Sequence, residues 1–199
     1  MNNYNKKWLL LIVLSIIWGS SFILIKKGLA ELSPIHLGSL RIIFTAFVII
    51  IFSYNSLIKI KKEKWKWIII TAYIGTFFPV YLVGFGQTQI DSGLASILTT
   101  LTPISTLVVG VFFFNLFFTR KQVLGLVIGL IGGFLLLYEG SLNTDSNIYF
   151  AIFIVLTTIG YGTSVNLIKT YLTDIPPAAV TAGIFFKYFT SCCNYSLIF

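Results

Sequence analysis

Long, nearly uncharged apolar runs constrain this chain more than any other feature. They predict helices over Trp8–Ile25, Ile35–Phe52, Trp67–Gly86, Ser92–Phe118, Gln122–Tyr138 and Ile148–Ile168, and a seventh after Pro176-Pro177. These are numbered spans 1 to 7. A run near twenty residues matches a hydrocarbon core of about 30 Å. In lipid, backbone polar groups must be satisfied internally, which leaves helices or a closed barrel. The runs are continuous rather than alternating, which selects helices. Only 10% of the residues are charged and mean hydropathy is +0.93. A soluble domain carries about a quarter charged residues, so this chain cannot cover a water-facing surface. The expected fold is an all-α polytopic membrane protein, a helical bundle of seven transmembrane helices.

The formal net charge of +8 would suggest nucleic acid in a soluble protein. In a membrane protein the same excess anchors cytoplasmic loops, so the expected partners are the lipid bilayer and a small-molecule substrate, with no nucleic acid. One set of loops carries Lys6, Lys7, Lys59, Lys61, Lys62, Lys64, Lys66, Arg120, Lys121 and Lys169. The other carries Lys26 and Lys27 with Glu31, then Asp91, then Glu139 with Asp145. The first set is read as cytoplasmic, with the N-terminus inside and the 143–147 loop outside. Trp8, Trp65 and Trp67 fit the inner interfacial belt. No small-residue cleavage site follows the first apolar run, which is long enough to span, so it reads as a retained helix. The adjacent Cys192 and Cys193 offer neither metal spacing nor a disulfide framework.

A repeat runs through the chain. Ile17-Trp18-Gly19-Ser20-Ser21-Phe22-Ile23-Leu24-Ile25-Lys26 returns as Gly160-Tyr161-Gly162-Thr163-Ser164-Val165-Asn166-Leu167-Ile168-Lys169, at an offset of 143 (162 − 19). The same offset pairs Leu29 with Leu172, Glu31 with Asp174 and Pro34 with Pro177. Shared apolarity does not explain the polar matches or the proline. Such periodicity decides the fold reading. Five spans separate the copies, and five is odd, so the second copy enters from the opposite side. That is an inverted-topology repeat, as in many secondary transporters. The first repeat is placed at residues 8–139 and a partial second one at 147–199. Two copies of 143 residues make about 286, or ten helices. On that arithmetic the expectation is a chain that stops three helices short, with an end that reads like a gene fragment or frame shift.

Trp18-Gly19-Ser20-Ser21-Phe22, Lys26, Pro34 and Arg41, then Ser92-Gly93-Leu94-Ala95-Ser96 with Pro103, then Gln122 with Gly125, resemble the EamA-type repeat of the drug/metabolite transporter superfamily. The resemblance implies a ten-helix permease that moves small metabolites across the inner membrane. Two features depart from it. The family usually carries a Glu at the span 4–5 boundary, where this chain has Leu116, and the segment Lys187–Tyr195 does not continue the pattern.

Span 4 carries Ser92, Ser96, Thr99, Pro103, Thr106 and Gly110 on one helical face. Small residues there serve close helix packing or form the wall of a solute cavity loosened at Pro103. Span 5 carries Gly125, Gly129 and Gly133 at one-turn steps, a groove for a neighbouring helix, and Ser15 with Gly19 is a shorter version in span 1. Its mate Gly162 suggests that spans 1 and 6 each cross close to a partner. The expected substrate cavity, lined by spans 1, 3, 4 and 6, takes in Trp18, Gly19, Ser20, Arg41, Ser96, Thr99, Pro103, Tyr161 and Gly162. An ionisable residue within a span is by default a site hypothesis. Arg41 and Lys26 either snorkel to the outer headgroups or form a cationic vestibule for carboxylates. Lys187 falls near mid-bilayer. Asp91 reads as a helix cap, His36 as a solvated interface residue, and Tyr81 and Gln87 as donors toward a cavity.

With one His and acids scattered over the loops, no nucleophile–base pair or phosphate-binding turn can be built. No enzyme, cofactor or metal site is expected. The leading function is secondary transport of small metabolites such as amino acids or related organic solutes. The alternative is a truncated, transport-inactive membrane fragment. A small multidrug-type exporter is set aside, because span 1 has no acid between Trp8 and Ile25.

Overall fold

The structure, a computed structural model, describes residues 3–58, 60–140 and 147–196. Among these the chain makes seven helical passages: α1 (Asn3–Gly28), α2 (Pro34–Leu57), α3 and α4 (Trp65–Ala72 and Phe78–Gln89), α5 and α6 (Ser92–Thr99 and Thr102–Phe114), α7 (Arg120–Gly140), α8 (Ala151–Tyr171) and α9 (Pro177–Ser196). Five of the passages are long and apolar enough to cross a membrane among the described residues. The chain is an all-α polytopic membrane protein. The side chains of Lys187, Cys192 and Cys193 and the loop 141–146 lie outside the described residues, so the readings made for them rest on sequence alone.

Prolines break two spans, and each break follows from the missing N–H and the ring's clash with the carbonyl four residues back. In span 3, Pro79 follows a π-helical turn over Tyr73–Phe77. The wider turn keeps the Phe78 N–H bonded, to the Tyr73 carbonyl. In span 4, Pro103 opens α6 behind a tightened turn in which Thr100 and Leu101 bond back three residues, at 2.9 and 3.1 Å. The Thr99 carbonyl, which Pro103 cannot satisfy, accepts the Thr102 hydroxyl at 2.7 Å.

Span 4 was expected to run to Phe118, but α6 stops at Phe114. Asn115 adopts a left-handed backbone (φ 50°), tolerated by Asn because its short polar side chain suits that region. The Asn115 and Leu116 N–H groups both turn back to the Gly110 carbonyl. Other ends follow the sequence closely. Ser33 caps α2 ahead of Pro34, accepting from the His36 N–H at 3.3 Å, and the His36 ring meets the same hydroxyl at 2.9 Å. Asp91 holds the cap position of α5, with its carbonyl accepting from Ala95, while its side chain makes no capping bond.

The passages share two ends. At the lysine-rich end, Lys64 pairs with Asp174 at 2.7 Å and donates to the Tyr171 carbonyl at 2.8 Å. Trp67 stacks on Tyr171 with centroids 3.6 Å apart, and Lys169 lies over the Phe118 ring. The hydrogen bond from Lys64 holds the Asp174 carboxyl below its ordinary range. The pair therefore contributes above the ordinary carboxylate pKa and is lost as pH falls through the lowered one. Asp174 is exposed, so that contribution is small. At the opposite end, the Lys26 ammonium donates to the Gln87 and Ile90 carbonyls at 2.8 and 2.9 Å, and the Asn147 N–H donates to Gln89 at 3.0 Å. Thus α1 and α8 finish at opposite ends of the bundle.

Two apolar clusters fill the interior. Ile42, Ile68, Ala72, Leu172 and Val180 join α2, α3 and α9 toward the lysine-rich end. Ile25, Val83, Ile90, Ala95 and Ile154 join α1, α4, α5 and α8 at the other. Residues 5–20 of α1 are exposed throughout.

Candidate functional site

Spans 3, 4 and 6 meet along a seam of small and polar residues. Added to Gly162, a Cβ would lie 2.6 Å from the Thr106 nitrogen and 2.7 Å from the Ser105 carbonyl carbon. Added to Gly160, it would lie 2.5 Å from the Ile74 carbonyl oxygen in the π-turn. Both glycines thus let backbones touch, the usual solution where lipid offers no hydrophobic drive between helices. Around them, Ser105 donates to Thr158 at 3.0 Å, whose own hydroxyl donates to Val155 at 2.8 Å. Asn166, buried on α8, donates from Nδ2 to the Thr106 carbonyl at 2.8 Å. Thr157, next to Thr158 on α8, and Thr71 on α3 are fully buried, and the Thr71 hydroxyl has no hydrogen-bond partner in the structure.

From the seam a cleft opens toward α7. It holds about 340 Å³ and is lined by Thr102, Pro103, Thr106, Leu107, Phe118, Gln122 and Leu126. Pro103 and Thr106 of the expected stripe lie in it. Ser96 and Thr99 do not; their hydroxyls bond back to the Gly93 and Ser96 carbonyls within α5. Arg41 of α2 is partly buried and within electrostatic reach of Tyr161 on α8. A cation and a phenol from different spans can together hold a carboxylate, the cation by charge and the phenol by donating a hydrogen bond.

Trp18, Gly19 and Ser20 do not line this cleft. Trp18 is 67% exposed, Ser20 is exposed with its hydroxyl on the Ile17 carbonyl, and nothing lies within 4 Å of a Cβ on Gly19. Among the described residues, α1 packs on the bundle through its Lys26 end, where Phe22, Ile25 and Leu29 lie. In span 5 the three glycines differ in what they meet. Gly133 faces the Thr100 hydroxyl, whereas Gly125 and Gly129 meet nothing within 4 Å, because α7 touches the bundle chiefly through α5. Lys26 neither snorkels nor lines a vestibule; it caps the carbonyl end of α4, as cations do at helix C-termini. Tyr81 bonds Ser39 at 3.0 Å, and Gln87 donates to the Phe22 carbonyl at 3.3 Å. Both tie helices together rather than face the cleft.

Asn166 and the Thr157–Thr158 pair were not singled out from the sequence. The available signal was an amide in an apolar run, where unsatisfied polar groups are costly.

The chain matches the model of the EamA-like transporter family over residues 6–138. It belongs to the EamA-like transporter family. Among similar proteins, an uncharacterized transporter of Archaeoglobus fulgidus is 31% identical over 184 residues, covering 89% of this chain and 63% of that protein. The uncharacterized transporter YoaV of Bacillus subtilis is 28% identical over 73% of this chain and 51% of its own length. A protein of Salmonella typhimurium named a probable amino-acid metabolite efflux pump is 32% identical over 69% and 44%. The chain therefore spans 63% or less of these relatives. No solved structure matches it.

Proposed function

We propose that this EamA-family chain carries the first repeat and the opening of an inverted second repeat of a secondary transporter for small metabolites, amino acids or related organic solutes. Its N-terminus and lysine-rich end face the cytoplasm, and the membrane is the cytoplasmic one. The observation that carries this reading is the polar seam between α6 and α8, which joins the two repeats next to a proline-broken span. Solute sites of inverted-repeat transporters lie at repeat interfaces, beside interrupted helices. In this reading, Arg41 attracts a carboxylate and Tyr161 orients it. Thr102 and Thr106 give their hydroxyl protons to the Thr99 and Thr102 carbonyls, so they offer a solute acceptor oxygens, and α6 rocks on α8 about the glycine contact. The naming of one relative as an amino-acid metabolite efflux pump supports the solute class.

The experiment is uptake and efflux in vesicles across a panel of amino acids and small organic acids. It uses the chain joined to the part of the Archaeoglobus fulgidus transporter that it does not span. The extended chain is expected to carry at least one carboxylate-bearing solute, and the 199-residue chain none. Absence of flux for every solute, with folded protein present, counts against transport. The second reading, an inactive fragment, draws on the share of the relatives that the chain spans, and it predicts that the short chain folds and inserts but moves nothing.

Orientation has its own test. With Cys192 and Cys193 replaced by Ser, Asn147→Cys should react with an impermeant thiol reagent outside intact cells, and Lys62→Cys only after lysis. External labelling at position 62 would reverse the orientation.

A further inference from the structure

The solute cleft leaves a second cavity unused, at the lysine-rich end. It holds about 260 Å³ between the end of α2, the segment ahead of α3 and the segment ahead of α9. Ser56, Lys61, Lys64 and Asp174 form its polar wall, and Ile175 and Pro176 lie on its apolar one. The frame is held by burial. Ala179, also on the wall, and Ile60, next to Lys61, belong to the apolar cluster at this end. The Lys61 carbonyl accepts from the Lys64 N–H at 3.0 Å.

Its charges do not cancel. Lys64 pairs with Asp174 at 2.7 Å. Lys61 has no ion pair among the described residues, yet its charge reaches the Asp174 carboxylate. Two lysines against one carboxylate leave the wall cationic. Exposed Lys62 and Lys66, against Glu63, keep the adjoining segment cationic too. Trp65 and Trp67, half-buried just beyond, set this end at the depth of the membrane interface, where such rings collect. One turn before Ser56 on α2, Phe52 is 83% exposed.

We propose that this pocket binds the phosphate of an anionic phospholipid. Lys61 is the cation that holds it, the Ser56 hydroxyl donates to it, and Phe52 meets the acyl chain. Basic pockets between membrane helices suit such headgroups, and anionic lipids enrich the cytoplasmic leaflet that the lysine-rich end faces in the orientation proposed above. A soluble phosphate ester offers the same oxygens. The lipid is favoured because the pocket lies at headgroup depth with apolar surface beside it.

The test is native mass spectrometry of the 199-residue chain in mild detergent. The probes are phosphatidylglycerol, phosphatidylcholine and water-soluble glycerol phosphate. Phosphatidylglycerol should bind roughly tenfold tighter than phosphatidylcholine, and Lys61→Gln should remove about fivefold of that, the worth of one lysine near an anionic surface. Lys62→Gln makes the same charge change one residue outside the pocket and should alter binding by less than about twofold. Asp174→Asn acts in the opposite direction. It releases the Lys64 ammonium and should tighten phosphatidylglycerol by about fivefold, a gain that a damaged fold cannot imitate. Equal losses from Lys61→Gln and Lys62→Gln would reduce the site to diffuse attraction by the lysine run and overturn the proposal. Unchanged or weaker binding by Asp174→Asn overturns it as well. So does displacement of the lipid by an equal concentration of glycerol phosphate, which makes a soluble phosphate ester the ligand.

Discussion

Gly162→Ala is expected to destabilise the bundle by about 1–3 kcal/mol, as overpacking at a rigid contact does. Its methyl would sit 2.6 Å from the Thr106 nitrogen, 2.7 Å from the Ser105 carbonyl carbon and 3.0 Å from the Thr106 Cα. All three atoms are backbone, so no rotamer change relieves the clash and α6 must move off α8. That movement would lengthen the Asn166–Thr106 and Ser105–Thr158 hydrogen bonds together. Two controls separate this from the general cost of adding a methyl to a glycine. At Gly28 the nearest atom, at 2.9 Å, is a methyl of Leu37, which can swing aside. At Gly129 there is no neighbour, so alanine there gains helix propensity without a clash. Thermal unfolding in mild detergent should rank Gly162→Ala well below Gly28→Ala, and Gly129→Ala no lower than the parent. Equal stability of the Gly162 and Gly28 variants would mean that α6 and α8 do not cross at backbone contact.

Arg41→Gln in the extended chain should weaken carboxylate-bearing solutes by about 10- to 100-fold, the worth of one charge-assisted hydrogen bond. Solutes without a carboxylate should be carried as before. The argument is electrostatic. Arg41 is partly buried and within electrostatic reach of Tyr161, so its field acts through a low dielectric and is screened less than at the surface. Gln keeps polar donors and approximate length but loses the charge. Arg41→Lys, which keeps the charge without the planar fork, should recover part of the affinity. Half-saturation for uptake measures both, alongside the amount of folded protein. If Arg41→Gln leaves affinity unchanged, Arg41 only snorkels to headgroups.

The sequence carried the solvent and the spans, because twenty apolar residues have few other uses, and the lysines sorted the loops by end. It also carried the break at Pro103, since a proline inside a run must disturb the carbonyl four residues back. What it did not carry was tertiary. Pro79 marks the break in span 3, but that it takes the form of a π-turn with Gly160 and Ser164 pressed against it is not written in that span. The left-handed Asn115 shortens span 4 through one residue's backbone, which apolar periodicity does not register. Lys26 read as a cation that snorkels or lines a vestibule because its acceptors, the Gln87 and Ile90 carbonyls, lie more than sixty residues away. Trp18 and Gly19 were drawn toward Tyr161 by a repeat that pairs them in sequence. In this chain their mates on α8 are packed and they are not, because packing depends on which helices are present rather than on the motif.

The account turns on whether the Thr102–Thr106 cleft is a wet solute path or dry helix packing. The measurement is the reactivity of Thr106→Cys, in the Cys192→Ser, Cys193→Ser background, toward a membrane-impermeant thiol reagent in sealed vesicles, with Ala95→Cys, fully buried, as the dry reference. The account predicts that position 106 reacts from one side of the membrane, that position 95 does not, and that a carboxylate-bearing amino acid slows the reaction at 106. Reactivity at 106 as low as at 95, with or without solute, would contradict it.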